Sequence, residues 1–98
     1  MADASYALSA QAASSLKQIS DYTLNQFGRR QQSRYLRALR KQMRFVAADP
    51  TRGRDRGAIK QGYLSILAGK HVIFYRVRAG RTEIIDVPHQ SMEPKLHL

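Results

Sequence analysis

The 98-residue chain contains no cysteine. That excludes disulfides, thiolate metal sites and cysteine nucleophiles, and a small domain without disulfides fits the reducing cytosol. No stretch approaches the ~18 apolar residues that span a bilayer. The opening MADASYALSAQAASSL lacks the basic start and apolar run of a secretory signal, so a soluble cytoplasmic protein without membrane partners is expected. His71, His89 and His97 sit in no compact ligand cluster, and imidazole metal sites need converging ligands, so no metal is assigned. The run Gly53-Arg54-Asp55-Arg56-Gly57 lacks the lysine and following helix of a phosphate loop. No serine sits in a nucleophile elbow. Glu83 and Asp86 lie three apart on an expected strand and so face opposite sides, which rules them out there as an acid–base pair. No catalytic residue and no cofactor is assigned.

What the chain does contain is enough apolar residue, 43%, for a real core. Its length suits a single domain over 1–98, with residues 1–5 expected to be disordered. Tyr6-Ala7-Leu8 is a short strand candidate. Ser9 can cap a helix, and Ala12, Leu16, Ile19, Thr23 and Phe27 recur at helical spacing over 10–27. Gly28 is expected to end that helix in the left-handed region. A second helix carries Leu36, Leu39, Met43 and Val46 on one face and stops at Asp49-Pro50. So short a connection makes the two helices antiparallel. Residues 50–62 read as a loop. Strands follow over 63–67, 71–78 and 82–87, joined by turns at Gly69-Lys70 and Ala79-Gly80-Arg81. Tyr75 is expected in the core, and Arg76 is expected to pair with Glu83 or Asp86. The expected fold is α+β: an N-terminal strand and an antiparallel two-helix hairpin packed on a three- to four-stranded antiparallel sheet. The long strands have apolar residues on both faces, so the second face should be partly covered as well, with a partner as one candidate cover.

Charge is distributed unevenly. Seventeen Lys and Arg oppose seven Asp and Glu, for a net +10. Residues 29–60 hold Arg29, Arg30, Arg34, Arg37, Arg40, Lys41, Arg44, Arg52, Arg54, Arg56 and Lys60 against only Asp49 and Asp55. Such a field favours an anionic partner: nucleic acid, a membrane surface or an acidic protein.

Several segments are more specific. Asp21-Tyr22, Arg34-Tyr35-Leu36-Arg37-Ala38-Leu39, Asp49-Pro50, Gly69-Lys70-His71-Val72-Ile73-Phe74-Tyr75-Arg76-Val77 and His89-Gln90-Ser91-Met92 before His97-Leu98 stand in that order. Together they resemble the ParE branch of the ParE/RelE toxin superfamily over residues 6–98.

The resemblance implies the toxic half of a type II toxin–antitoxin pair, a protein that poisons DNA gyrase without catalysis of its own. It implies a ParD-like antitoxin that wraps an extended and helical segment over the toxin. The resulting hetero-oligomer would meet DNA only indirectly, through antitoxin or gyrase. The high positive charge agrees with an acidic antitoxin segment. RelE-like relatives instead cut messenger RNA on the ribosome, using a strand arginine and further basic or aromatic groups after the last strand. Aligned on Phe74-Tyr75-Arg76-Val77, Val72 takes the place of the strand arginine, Gln90 falls near a second arginine, and residues 89–98 hold no tyrosine. His89 and His97 remain as an acid–base pair for that alternative. A basic nucleic-acid-binding module is the third reading. The gyrase contact is assigned to the tail: His89, Gln90, Ser91, Met92, Lys95 and His97. The antitoxin contact is assigned to Leu36, Leu39, Arg40, Met43, Arg52, Arg54, Arg56 and Arg76.

Overall fold

Ser9 sets the start of the helical layer. Its backbone is extended, and its hydroxyl accepts from the Ala12 N–H at 3.0 Å while donating to the Ile85 carbonyl at 2.7 Å. One residue therefore caps a helix and ties it to the sheet. The computed structural model describes residues 5–95. The expected disorder of residues 1–5, apart from Ser5, and the role given to His97 fall outside them.

Helical residues run continuously over Ala10–Ala48 (α1) except at Gly28, whose φ of 86° and ψ of 176° lie in a region essentially reserved for glycine. The expected left-handed helical stop is thus replaced by a sharper break inside one helical segment. The chain reverses there. Gln32 Nε2 donates to Ser20 Oγ at 2.8 Å across twelve residues, which a straight helix would hold about 18 Å apart. The two arms, 10–27 and 29–48, lie side by side. Phe27, expected on the apolar stripe, is 65% exposed. It sits beside the break, and its exposed neighbours Asn25, Gln26, Gly28, Arg29 and Arg30 show that the hairpin tip receives no cover.

The sheet has five strands: β1 (Ala7–Leu8), β2 (Arg54–Asp55), β3 (Leu64–Ala68), β4 (His71–Arg78) and β5 (Arg81–Asp86), in the order β1-β5-β4-β3-β2. It is mixed, which corrects the expected antiparallel sheet. β1 runs parallel to β5, with Ala7 opposite Glu83 and Leu8 opposite Ile84. A parallel pair needs a long crossover, and everything between the two strands supplies it. β2 corrects the loop expected over 50–62: Arg54 and Asp55 pair antiparallel with Ser65 and Leu64. Two residues are too few for a period-two pattern to show in sequence. A bulge beside Phe74 and Tyr75 shifts the β4–β5 register, so Tyr75 faces Ile84 while Phe74 faces Asp86.

Ala12, Ile19, Leu39, Met43 and Val46 of α1 meet Ala68, Ile73, Tyr75, Ile84 and Val87 of the sheet side in one core. Asp86 is buried yet satisfied, accepting from Ser15 Oγ at 2.7 Å and the Val87 N–H at 2.8 Å. On β4 the alternate residues Val72 and Phe74 are buried as well. The chain supplies cover for this second face itself: the Arg56 guanidinium lies 5.1 Å from the Phe74 ring centroid, and its Nη1 donates to Ser65 Oγ at 3.1 Å. Among the described residues, no helix is long and apolar enough to cross a membrane.

Candidate functional surfaces

The segment after β5 returns to the start of β4. Val72 N–H donates to the Pro88 carbonyl at 2.9 Å, Gln90 N–H donates to the Lys70 carbonyl at 2.8 Å, and His89 forms an antiparallel bridge with His71. Residues 88–90 are thereby laid along the β4 end. The chain then coils into a 3-10 turn, Gln90–Lys95. His89, Gln90, Ser91 and Met92 are all exposed, Met92 at 56%. The structure thus brings the tail residues together on a backbone-anchored turn that Lys95 closes. The Ser91 N–H donates to His89 Nδ1 at 3.1 Å, and the Ser91 hydroxyl lies 2.8 Å from the same nitrogen.

Beneath the tail lies a contact that no local pattern announces. The Tyr35 hydroxyl, from the second arm of α1, lies 2.6 Å from His71 Nδ1 and accepts from the Lys70 N–H at 2.9 Å. The His71 ring meets Tyr35 and His89 edge-to-face, with centroids 5.5 and 5.3 Å away. Tyr35, His71 and His89 are 36 and 18 residues apart in pairs, so only the folded sheet unites them. Burial pushes the Tyr35 hydroxyl up, offset in part by the Lys70 N–H. Burial first, and the neighbouring His89 second, hold the His71 imidazole below its ordinary 6.5.

This makes stability pH-dependent with a definite sign. Unfolded His71 takes its proton near 6.5, whereas folded His71 takes it only at lower pH. Its favourable contribution is complete above about 6.5 and is lost as pH falls from there toward the folded value. Urea unfolding followed from pH 7.5 downward is expected to show a falling midpoint, and His71→Asn to flatten that decline. An unchanged slope in the variant contradicts the assignment.

The antitoxin candidates divide into four groups. Leu39 and Met43 are fully buried in the core, so they line no open groove, which corrects their assignment. They point between α1 and the sheet because their spacing keeps them on the Val46 side of the arm. Leu36 is half-buried, and with Arg40 it lines a shallow recess of about 220 Å³ shared with Gln32, Ser33, Arg37 and Arg44. Three other candidates are engaged within the chain. Arg52 lies over the Phe45 ring at 4.3 Å and donates to the Phe45 carbonyl at 2.9 Å. Arg56 covers Phe74, and Arg76 donates to Glu83 at 2.8 Å across β4 and β5, as expected. Arg54 stays exposed on β2. Asp49 accepts from the Thr51 hydroxyl at 2.6 Å and the Thr51 N–H at 3.1 Å, which hold its carboxyl below the usual range.

At the position where RelE-like relatives carry a strand arginine, Val72 is 4% exposed between the tail and the sheet. Tyr35 was missed as a site residue in sequence. Its only signal is the Arg34-Tyr35-Leu36 run, which reads equally well as core flank.

Residues 6–94 match the family model described as the ParE toxin of type II toxin–antitoxin system, parDE. A toxin ParE1 of Caulobacter vibrioides is 38% identical over 93 residues, covering 95% of this chain and 96% of its own. A toxin ParE1 of Mycobacterium tuberculosis is 38% identical over 89 residues, covering 90% and 91%. A chain of the chromosomal ParDE TA system from P. aeruginosa superimposes with a TM-score of 0.76 at 16% identity, covering 89% of this chain and 96% of that one. That structural likeness speaks for the fold, and the sequence matches speak for descent: the chain belongs to the ParE toxin family of type II toxin–antitoxin systems.

Proposed function

We propose that this toxin arrests growth by binding DNA gyrase through its C-terminal turn, without catalysing a reaction, and that a ParD-like antitoxin neutralises it. The observation that carries this reading is the tail's construction. Two backbone hydrogen bonds and the His71–His89 bridge hold residues 88–90 to β4, while Gln90, Ser91 and Met92 face solvent. With its backbone already anchored, the turn orders little main chain on docking, and the flexible thioether of the exposed Met92 can adapt to an apolar partner surface. The antitoxin segment is assigned to the recess beside Leu36 and Arg40 and to the exposed Arg54. An acidic chain with one apolar anchor meets complementary charge and a half-covered leucine there.

The test is a supercoiling and cleavage assay with purified gyrase and purified toxin. Inhibition with trapped cleaved DNA is expected, and Met92→Asp is expected to weaken it at least tenfold, because a carboxylate is forced into a contact built for a thioether. No inhibition at toxin well above gyrase contradicts the proposal. One observation favours a second reading, ribosome-dependent RNA cleavage. His71, His89 and Tyr35 place two imidazoles and a hydroxyl within one contact cluster, which is acid–base chemistry in outline. Codon-specific cuts in primer extension after induction support that alternative, and intact transcripts during arrest remove it.

A further inference from the structure

The second arm of α1 carries five cations in register. Arg30, Arg34, Arg37, Lys41 and Arg44 recur at intervals of four, three, four and three residues. On a helix they fall within an arc of about 80° and extend along about 21 Å. All five are exposed, and among the described residues none has a carboxylate partner. Among the described residues, Lys17–Asp21, Arg52–Asp49 and Arg76–Glu83 form ion pairs away from the stripe. The stripe is opposite the buried Leu39, Met43 and Val46, so it is the outermost line of the molecule on that side.

We propose that this stripe binds the phosphate backbone of duplex DNA directly. Its composition selects the occupant. A partner helix needs apolar anchors, and the stripe has none. A single strand needs exposed aromatic platforms for its bases, and the stripe itself carries none: the exposed rings of Tyr22 and Phe27 belong to the other arm, and Phe45 lies under the Arg52 guanidinium. A duplex backbone needs only cations at repeating intervals along a line. The recess assigned to the antitoxin, about 220 Å³, is lined by the stripe's own Arg37 and Arg44 and adds one further guanidinium, Arg40, so antitoxin and DNA exclude each other there. Arginine suits such a place because its planar fork donates two hydrogen bonds to one phosphate. DNA binding by the stripe stands apart from the tail's protein contact, but the choice of DNA over RNA rests on the gyrase reading.

The measurement is fluorescence anisotropy of a mixed-sequence DNA duplex of about 20 bp, titrated with the full-length toxin at several salt concentrations. Five phosphate contacts give a log–log slope near −4.5, an approximately 500-fold loss of affinity between about 50 and 200 mM salt. The triple variant Arg34→Gln, Arg37→Gln, Lys41→Gln is expected to lower the slope to about −1.8. Removing as much charge elsewhere, with Lys70→Gln, Arg78→Gln, Arg81→Gln, is expected to leave it within about one unit of wild type. Circular dichroism checks that both variants keep the fold. The proposal is overturned by no duplex binding at low salt, by equal loss in both triple variants, by preference for an RNA duplex, or by binding of an acidic peptide but not DNA. Gyrase inhibition is scored in parallel: stripe failure with inhibition intact sinks this inference alone, and the reverse sinks the gyrase reading alone.

Discussion

Leu39→Ala is expected to destabilise the protein by about 2–5 kcal/mol, measured as a fall in the urea midpoint at constant slope. Leu39 is fully buried beside Met43 and Val46, where α1 meets β4 and β5. Truncation removes three heavy atoms from a site whose neighbours come from a helix and a sheet that cannot both move in. On a domain of this size the loss is a large fraction of the total. Leu36→Ala is the informative contrast. Leu36 lies one turn earlier, half-buried, with part of its side chain lining the open recess. Its truncation is expected to cost well under half as much stability and to weaken antitoxin capture by at least tenfold. Equal destabilisation by the two variants means that the recess is not an open surface. The two leucines look alike in sequence, and only burial separates core from contact.

That pair marks the boundary of what was legible beforehand. Features set by neighbours in sequence were readable: the Ser9 cap, the break at Gly28, the extent of the 71–78 strand and the Arg76–Glu83 pair. Each depends on hydroxyl capping, backbone permissiveness, branched-residue content or a tight hairpin register, and all of these act over a few residues. Features set by the meeting of distant segments were not. The parallel pairing of β1 with β5 joins residues 76 apart, Ala7 with Glu83 and Leu8 with Ile84. Tyr35 reaches His71 because the second arm happens to cross the β4 end. Phe27 keeps helical spacing but extends past the layer that would have covered it. Periodicity reports which side of a helix is apolar and says nothing of how far its partner extends. The arginine candidates show the same limit. Arg52 and Arg56 are identical in sequence terms to Arg54, yet they are spent on Phe45 and Phe74 while Arg54 is left to solvent.

Gly53→Ala is expected to be the most disruptive single-methyl change in the chain. Gly53 has an ordinary extended backbone, so the reason is not conformational freedom but proximity. A Cβ at this position overlaps the Tyr75 hydroxyl and comes within 2.7 Å of Tyr75 Cζ and 2.9 Å of the Ser65 carbonyl oxygen. Tyr75 cannot swing away: it is fully buried, and its hydroxyl donates to the Pro50 carbonyl at 2.7 Å. The Ser65 carbonyl belongs to β3, where its residue pairs with Arg54 and Phe74. Overpacking of this kind costs about 1–3 kcal/mol, and loss of the Tyr75–Pro50 hydrogen bond adds about 1 kcal/mol. The double variant with Tyr75→Phe discriminates the cause. Phenylalanine removes the overlapping oxygen but leaves the ring carbon and the Ser65 carbonyl close, so it is expected to recover part of the loss, with a coupling of at least about 0.5 kcal/mol. Strict additivity contradicts the steric account. The functional consequence follows from position, because Gly53 separates Arg52, stacked on Phe45, from Arg54 on β2. Moving its backbone displaces both, so Gly53→Ala is expected to weaken antitoxin binding more than Arg54→Ala does, with the C-terminal turn left in place.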